Sequence, residues 1–157
     1  MSFIKKKVLT SKNRRLLWGI LLVLLCFYVF FGYNYKLVYC YGDSMLPTYA
    51  NGDMLITKRI SGNYTPNRFD VVVIKDSREA EFITKRILGL PGEKLKMVEG
   101  EIYIDDKPIL DPLYKSDRYC NEEIYKIPSN CVWVIGDNRE ESLYGIFLIK
   151  EVEGLVW

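Results

Sequence analysis

The sequence predicts a mainly β domain that follows a single N-terminal transmembrane helix. Three observations lead to this fold class: a long uncharged run at residues 16–35, short strand-like segments after it, and turn-forming residues between those segments. A chain of 157 residues has room for one domain with a modest core. The strand-like segments recur at roughly ten-residue spacing, which is typical of an all-β barrel or sandwich.

The N-terminal region has the pattern of a membrane anchor. Residues 1–15 contain no acidic side chain and six basic ones: Lys5, Lys6, Lys7, Lys12, Arg14 and Arg15. Residues 16–35 (LLWGILLVLLCFYVFFGYNY) would span about 30 Å as a helix, the thickness of a bilayer core. A buried helix of a soluble protein would carry polar residues at helical spacing, and a cleavable signal would have a shorter apolar run before small residues. We therefore expect a cytoplasmic segment at 1–15, an uncleaved anchor at 16–35 and an external domain at 36–157.

Short strands and turns alternate along the external segment. Strands rich in β-branched and apolar residues are predicted at 53–59, 69–75, 81–90, 94–98, 101–105 and 131–136. Glu99 and Gly100 read as the turn of a hairpin between two of these strands, and residues 61–67 read as a loop. Residues 105–130 are mixed and contain proline, so we expect a surface excursion there. No second long helix is predicted.

The composition excludes several kinds of site. The chain has no histidine, which excludes a Ser-His-Asp triad and argues against a zinc site. A net charge of +2 gives no basis for a nucleic-acid partner, and no cofactor or metal is expected. Cys26 lies in the expected anchor and Cys40 just beyond it. Cys120 and Cys131 lie where a disulfide could persist, and their spacing leaves the pairing open.

The segment GDSMLPT at residues 42–48 raises the question of a nucleophile. Gly42 and Pro47 favour a tight, exposed turn around Ser44. Such a turn suits a nucleophile, and it equally suits an ordinary surface loop. In a chain without histidine, the base for Ser44 would be a lysine, a carboxylate or a terminal amine.

Lys85 is the candidate base. In a strand it shares a face with Ile83 and Ile87, whereas the adjacent Arg86 points to the opposite face. An amphipathic lysine that extends to solvent is one interpretation of this pattern. The other is a lysine buried among apolar side chains, where desolvation disfavours the ammonium form. To act near neutral pH its pKa would have to fall by about three units, which costs about 4 kcal/mol.

Four motifs in this order resemble the bacterial type I signal peptidases, serine proteases that use a Ser/Lys dyad. They are GDSMLPT at 42–48, FDVVV at 69–73 around Asp70, TKRILGLPGE at 84–93 and VIGDNREES at 134–142, with Gly145 and Gly154 fitting the tail of the last one. The resemblance covers most of the external domain. It implies a signal-peptidase-like β domain of barrel or sandwich type.

The resemblance also implies roles for individual residues. Ser44 would be the nucleophile, with its amide in the oxyanion hole, and Lys85 the general base. Ser142 would orient the lysine, while Asp137 and Asn138 would support the site; a buried Asp-Asn turn is the alternative for these two. Two departures from the family stand out. Gly42 replaces a family serine that adds a hydroxyl to the oxyanion hole, and SLYG runs directly from Ser142 to Gly145 without the usual Asp-Ser-Arg segment.

The implied function is that of a membrane-anchored serine endopeptidase that cleaves signal peptides from exported preproteins. Small side chains would be preferred at the first and third positions before the cut, with the substrate extended beside the strand that precedes Lys85. Alternatives are a dedicated processing peptidase of a pilus, conjugation or secretion system, and a non-catalytic assembly factor with the same fold. A self-cleaving repressor with the same dyad would need a DNA-binding domain where this chain has the anchor.

Overall fold

A computed structural model describes residues 11–60, 64–77, 81–98, 101–111, 113 and 122–157. The chain divides into two compact units, one that ends at Asn34 and one from Tyr35 to Trp157. The first unit contains the helix α1, Ser11–Asn34. Of the helices in the described ranges, α1 is the one long and apolar enough to cross a membrane, and none of its residues is buried within the protein. It begins inside the segment expected to be cytoplasmic, and Tyr35 opens a strand instead of ending the helix.

The second unit consists of antiparallel strands. Their bounds are β1 Tyr35–Tyr39, β2 Met54–Arg59, β3 Val71–Asp76, β4 Glu81–Gly89, β5 Lys94–Val98, β6 Glu101–Ile104, β7 Lys107–Pro108, β8 Glu123–Lys126, β9 Cys131–Ile135, β10 Tyr144–Leu148 and β11 Val152–Val156, with a 3-10 helix at Ile149–Glu151 between the last two. The predicted mainly β fold with one N-terminal apolar helix is therefore confirmed. The six predicted strands correspond to β2, β3, β4, β5, β6 and β9.

The prediction of a surface excursion at 105–130 is wrong in part. This stretch contains β7 and β8, and β8 pairs with β5 along its whole length. β8 was missed because its four residues begin and end with a charged side chain and contain a single β-branched residue, so they give little strand signal. The predicted hairpin of β5 and β6 is present, with Val98 opposite Glu101, and its turn residues lie outside the described ranges. Cys131 is buried with a free thiol, and Cys120 also lies outside the described ranges.

The larger of the two sheets curls on itself. Its strand order is β1-β2-β11-β3-β4-β9-β10, so four strand spacings separate β11 from β10, or about 19 Å in a flat sheet. The chain joins these two strands through the three-residue 3-10 helix, which rises only about 6 Å. The sheet must therefore bend until its edge strand β10 approaches β11, as the barrel-like prediction requires.

Three clusters of buried side chains fill the second unit. One lies between the curled sheet and the four-stranded sheet β7-β6-β5-β8, and it is centred on Trp133, which has no exposed surface. A second covers the opposite face of the curled sheet and includes Ile87 of β4 and Val134 of β9. The third joins Cys40, Met45, Leu55 and Val71 beneath the turn that follows β1. The second and third clusters position the site described below.

Gly89 tests the packing between the two sheets. A Cβ at this position would overlap Ile127 Cδ1 and lie 2.9 Å from Trp133 Cβ. Gly89→Ala should therefore lower the free energy of unfolding by about 1–3 kcal/mol, as measured by urea denaturation of the full chain in detergent. Gly145→Ala in β10 is the matched control, because its nearest contact would be an ordinary 3.5 Å to Phe147. Equal stabilities of the two variants would contradict the packing described here.

Candidate active site

The turn that carries Ser44 is fixed by its neighbour in the sequence. Met45 has no exposed surface and packs with Cys40, Leu55 and Val71, so it anchors the turn in the core. Tyr49 N–H donates to the Met45 carbonyl at 2.9 Å, which closes residues 45–49 into a five-residue turn. Ser44 itself is half-buried. The apolar residue beside the serine thus holds the backbone while the serine side chain lines a cleft.

The loop after β9 holds the same turn from the other side. Asn138 N–H donates to the Ser44 carbonyl at 3.0 Å, and Asn138 Nδ2 donates to the Asp43 carbonyl at 3.1 Å. Gly136 lies so close to these groups that a Cβ there would overlap both the Ser44 carbonyl oxygen and Ser142 Oγ. Only glycine therefore fits at position 136, which follows β9 and lies between Ser44 and Ser142. The structure thus places Asn138 against the Ser44 turn.

Lys85 is buried in β4, where it is 7% exposed. Val72 of the adjacent strand β3 lies opposite Lys85. Ile87, which belongs to the second cluster, lies on the same face of β4 as Lys85. Lys85 Nζ donates to Ser142 Oγ at 2.9 Å. The same oxygen accepts the Gly136 amide at 2.7 Å, and the Ser142 hydroxyl donates to the Leu143 carbonyl at 2.8 Å. The structure therefore brings together two of the predicted residues, Lys85 and Ser142, although they lie 57 positions apart.

Burial changes the acidity of the lysine. Desolvation lowers the pKa of Lys85 to about 8 from its ordinary value of 10.5, while Cys40 and then Asp137 oppose the shift electrostatically. At pH 7 about a tenth of the molecules would then carry a neutral amine at this position. Between about pH 8 and 10.5 the folded chain binds fewer protons here than the unfolded chain does, so the contribution of Lys85 to stability rises with pH over this window.

Ser44 and Lys85 line one cleft of about 460 Å³. Its other lining residues are Asp76, Ile83, Glu141, Leu143, Tyr144 and Phe147. Within the described part of the chain no group accepts the Ser44 amide N–H. Gly42, two residues before Ser44, adopts φ +75°. This left-handed conformation favours glycine over the serine that the family often has at this position. The cleft therefore offers a hydroxyl, an amine of lowered pKa and an unused backbone donor.

Sequence reasoning missed the network around Asp137, whose side chain has no exposed surface. Arg86 donates to both of its oxygens, from Nε at 2.7 Å and from Nη2 at 2.6 Å. Thr48 donates its hydroxyl to the same carboxylate at 2.5 Å. Arg86 Nη1 also donates to the carbonyl of Phe69, which adopts φ 72°. The signal available in the sequence was that Thr48, Arg86 and Asp137 each lie inside a matched motif.

No group of metal-binding side chains occurs among the residues that the structure describes.

Arg86 is expected to resist a conservative replacement. The sequence alone predicts that Arg86→Lys retains most of the activity, because Arg86 points away from Lys85, and it gives no reason to expect a loss of stability. The bidentate pair with the fully buried Asp137 changes this expectation, since a lysine cannot donate to both oxygens and to Phe69 at once. Arg86→Lys should lower the free energy of unfolding by about 1–3 kcal/mol in urea denaturation. Arg59→Lys on β2, which is exposed, should leave it unchanged, and equal stabilities would contradict the network.

Comparison with known proteins agrees with this geometry. A family model described as "Signal peptidase, peptidase S26" matches residues 13–148. Signal peptidase I U of Bacillus subtilis strain 168 is 32% identical over 69% of this chain and 64% of the relative. Signal peptidase I P of Bacillus subtilis subsp. natto is 24% identical over 96% of this chain and 90% of the relative.

A solved structure supports the same fold. A signal peptidase I from Enterococcus faecalis V583 superposes with a TM-score of 0.53 and 23% identity, covering 61% of this chain and all of that one. The family match extends from the apolar helix through every motif that surrounds the cleft. It follows that this chain belongs to the signal peptidase family, peptidase S26.

Proposed function

We propose that this protein is a membrane-anchored serine endopeptidase that removes signal peptides from exported preproteins, with Ser44 as nucleophile and Lys85 as general base. The observation that carries the proposal is the buried Lys85 amine, bonded to Ser142 in the cleft that Ser44 also lines. The pairing of Lys85 with Ser142 favours an enzyme over a non-catalytic assembly factor. An assembly factor would have no use for a lysine that is buried at a cost in stability.

The direction of the hydrogen bonds at Ser142 suits this role. Its hydroxyl proton is donated to the Leu143 carbonyl, so its oxygen accepts from Lys85 and cannot donate to it. A neutral lysine amine has two hydrogens and one lone pair. When one hydrogen is directed to Ser142, the lone pair stays available for the proton of Ser44. Ser142 thus orients the base without consuming its basicity.

In the proposed reaction these groups act in turn. Lys85 takes the proton of Ser44 as Oγ attacks the scissile carbonyl, and it then gives that proton to the leaving amine. Lys85 then takes a proton from a water molecule as its oxygen attacks the acyl carbon, and it returns that proton to Ser44 Oγ as the ester bond breaks and the product leaves. The oxyanion would bind the Ser44 amide, which has no acceptor among the described residues. Because Gly42 offers no hydroxyl, the backbone supplies more of this stabilisation than in relatives that carry the serine.

β4 offers an edge for an extended substrate. β3 pairs with Glu81–Arg86 on one side, whereas β9 pairs on the other side only with Arg86, Ile87 and Gly89. Residues 81–85 therefore have one strand neighbour among the described strands, and their second edge adjoins the cleft through Ile83 and Lys85. A signal peptide can add to this edge by main-chain hydrogen bonds. We expect small side chains at its first and third positions before the cut.

The N-terminal helix would attach the enzyme to the cell membrane. The apolar helix α1 fits a single span, and the basic residues at its N-terminal end favour the cytoplasm. The domain from Tyr35 onward would then lie outside the membrane, where exported preproteins emerge. Lipid and preprotein are the partners that this arrangement requires.

The pH dependence of cleavage tests the base. With a model preprotein in detergent, kcat/KM should rise with pH through a pKa near 8, because only the neutral Lys85 amine accepts the proton. Lys85→Arg and Lys85→Ala should be inactive, since guanidinium keeps its proton at any usable pH. Ser44→Ala should be inactive while folded, as judged by thermal unfolding. Turnover by Lys85→Arg close to that of the wild type would rule out the dyad.

Protease accessibility tests the topology. Protease added to right-side-out vesicles should digest the chain beyond residue 36, because the external domain is exposed on that side. Inside-out vesicles are the control, and they should protect it. Protection in right-side-out vesicles with digestion in inside-out ones would reverse the orientation and remove exported substrates from the proposal.

A further inference from the structure

An aromatic cluster lies at one end of the cleft. The ring of Tyr144 is 5.5 Å from that of Trp133, and it meets Tyr125 edge-on at 6.2 Å. Tyr125 and Trp133 are 5.9 Å apart, so the three rings form one cluster. Tilted and edge-on pairs at these distances are mutually attractive. The cluster therefore holds the ring of Tyr144 in one position.

A hydrogen bond ties this ring to the four-stranded sheet. The Tyr144 hydroxyl donates to Glu123 Oε2 at 2.9 Å, and the Tyr125 hydroxyl donates to the same oxygen. Glu123 is the first residue of β8. Hydrogen bonds to a carboxylate are stronger than those between neutral groups. The first residue of β10 is thus fixed to a strand of the other sheet.

Tyr144 also belongs to the cleft that contains the proposed nucleophile and base. It follows Ser142 by two positions and lines the cleft together with Ser44 and Lys85. The residue between, Leu143, is 77% exposed, so its side chain does little to hold the loop. Leu143 nevertheless supplies the carbonyl that takes the Ser142 proton. Ser142 is held from the preceding side by its N–H, which donates to the Asn138 carbonyl at 2.8 Å, and Tyr144 is the first tethered side chain that follows it.

The same loop has a second tether to this part of the fold. Arg139 and Asp111 form an ion pair at 2.6 Å, with side chains 1% and 2% exposed. Asp111 follows β7, so this contact also reaches the region of the four-stranded sheet. Arg139 lies three residues before Ser142 and Tyr144 two residues after it. The loop is therefore held on both sides of the serine.

We propose that Tyr144 is a positioning residue for the reaction, which acts through Glu123 to keep Ser142 Oγ against Lys85 Nζ. This role rests on the proposed function. It means that the four-stranded sheet helps to hold the loop that carries Ser142. It also accounts for the short last motif. No residue after Ser142 matches the usual Asp and Arg of the family, and the aromatic cluster with its carboxylate occupies the start of β10 instead.

Loss of the Tyr144–Glu123 hydrogen bond would change the pKa of Lys85 by admitting water to the loop. Burial is the main cause of the lowered pKa of Lys85, so a looser loop that admits water should raise that pKa toward its ordinary value. Replacement of the Tyr144 hydroxyl leaves unchanged the titratable and charged groups around the amine, which are Cys40, Asp76, Asp137, Glu141 and the Arg86 beside it. A shift would therefore report the position of the loop.

The test compares Tyr144→Phe with the wild type over the pH range of activity. Tyr144→Phe keeps the ring and removes the hydroxyl. We expect kcat to fall about tenfold with KM little changed, and the ascending limb of the pH profile to move to higher pH. Glu123→Gln keeps an acceptor oxygen without the charge, so its activity should lie between that of the wild type and that of Glu123→Ala, which should resemble Tyr144→Phe. Tyr103→Phe is the matched control, because Tyr103 donates to Glu101 on β6 at 2.5 Å, away from the cleft.

A second readout separates this inference from the proposed function. The titration of Lys85 is followed by NMR in Ser44→Ala and in Ser44→Ala/Tyr144→Phe, with Lys85→Ala to assign the signal, so no turnover is needed. A higher pKa in the double variant supports the tether. An unchanged pKa and pH profile, or a rise in KM alone, overturns the inference and leaves the dyad intact. Activity of Ser44→Ala or Lys85→Ala would instead overturn the proposed function.

Discussion

The buried carboxylate of Asp137 is the contact on which the site depends. Its side chain has no exposed surface, and burial of an unpaired carboxylate would cost several kcal/mol. Arg86 from β4 and Thr48 from the Ser44 turn meet this requirement, and Asn138 adds bonds to the backbone of the same turn. Three segments distant in sequence are therefore obliged to meet. The turn, the strand and the loop that carry Ser44, Lys85 and Ser142 are brought together by this pairing.

The burial of Lys85 works against stability. A pKa near 8 instead of 10.5 represents about 3 kcal/mol of disfavoured charge. The cost arises because Lys85 shares a face of β4 with Ile87, which belongs to a core cluster. The same apolar packing that stabilises the curled sheet desolvates the amine. Fold stability and the proposed basicity of Lys85 thus have a common origin in this face.

The two sheets of the second unit contribute different parts of the site. The curled sheet supplies the turn, the strand and the loop of the cleft, while the four-stranded sheet reaches the loop through Glu123 and the region of Asp111. The proposed tether of Tyr144 to Glu123 would explain how a short last motif is compatible with an ordered site. Trp133 connects both arrangements, since it lies in the core between the sheets and also packs against Tyr144.

Local patterns in the sequence were enough to predict the apolar helix and six of the strands, whereas the proposed roles of Ser44, Lys85 and Ser142 rest on the resemblance to the signal peptidases. Apolar runs, two-residue alternation and turn formers are properties of neighbouring residues, and the motifs add residue types at short spacing. β8 and β11 pair with strands that are not their neighbours along the chain, and β7 has only two residues, so no local pattern marked them. β1 and β10 were not predicted either. The contact of Thr48 with Asp137 spans 89 positions, and that of Arg86 with Asp137 spans 51. Such pairs depend on the order of the strands and on the curl of the sheet, which only the tertiary structure determines.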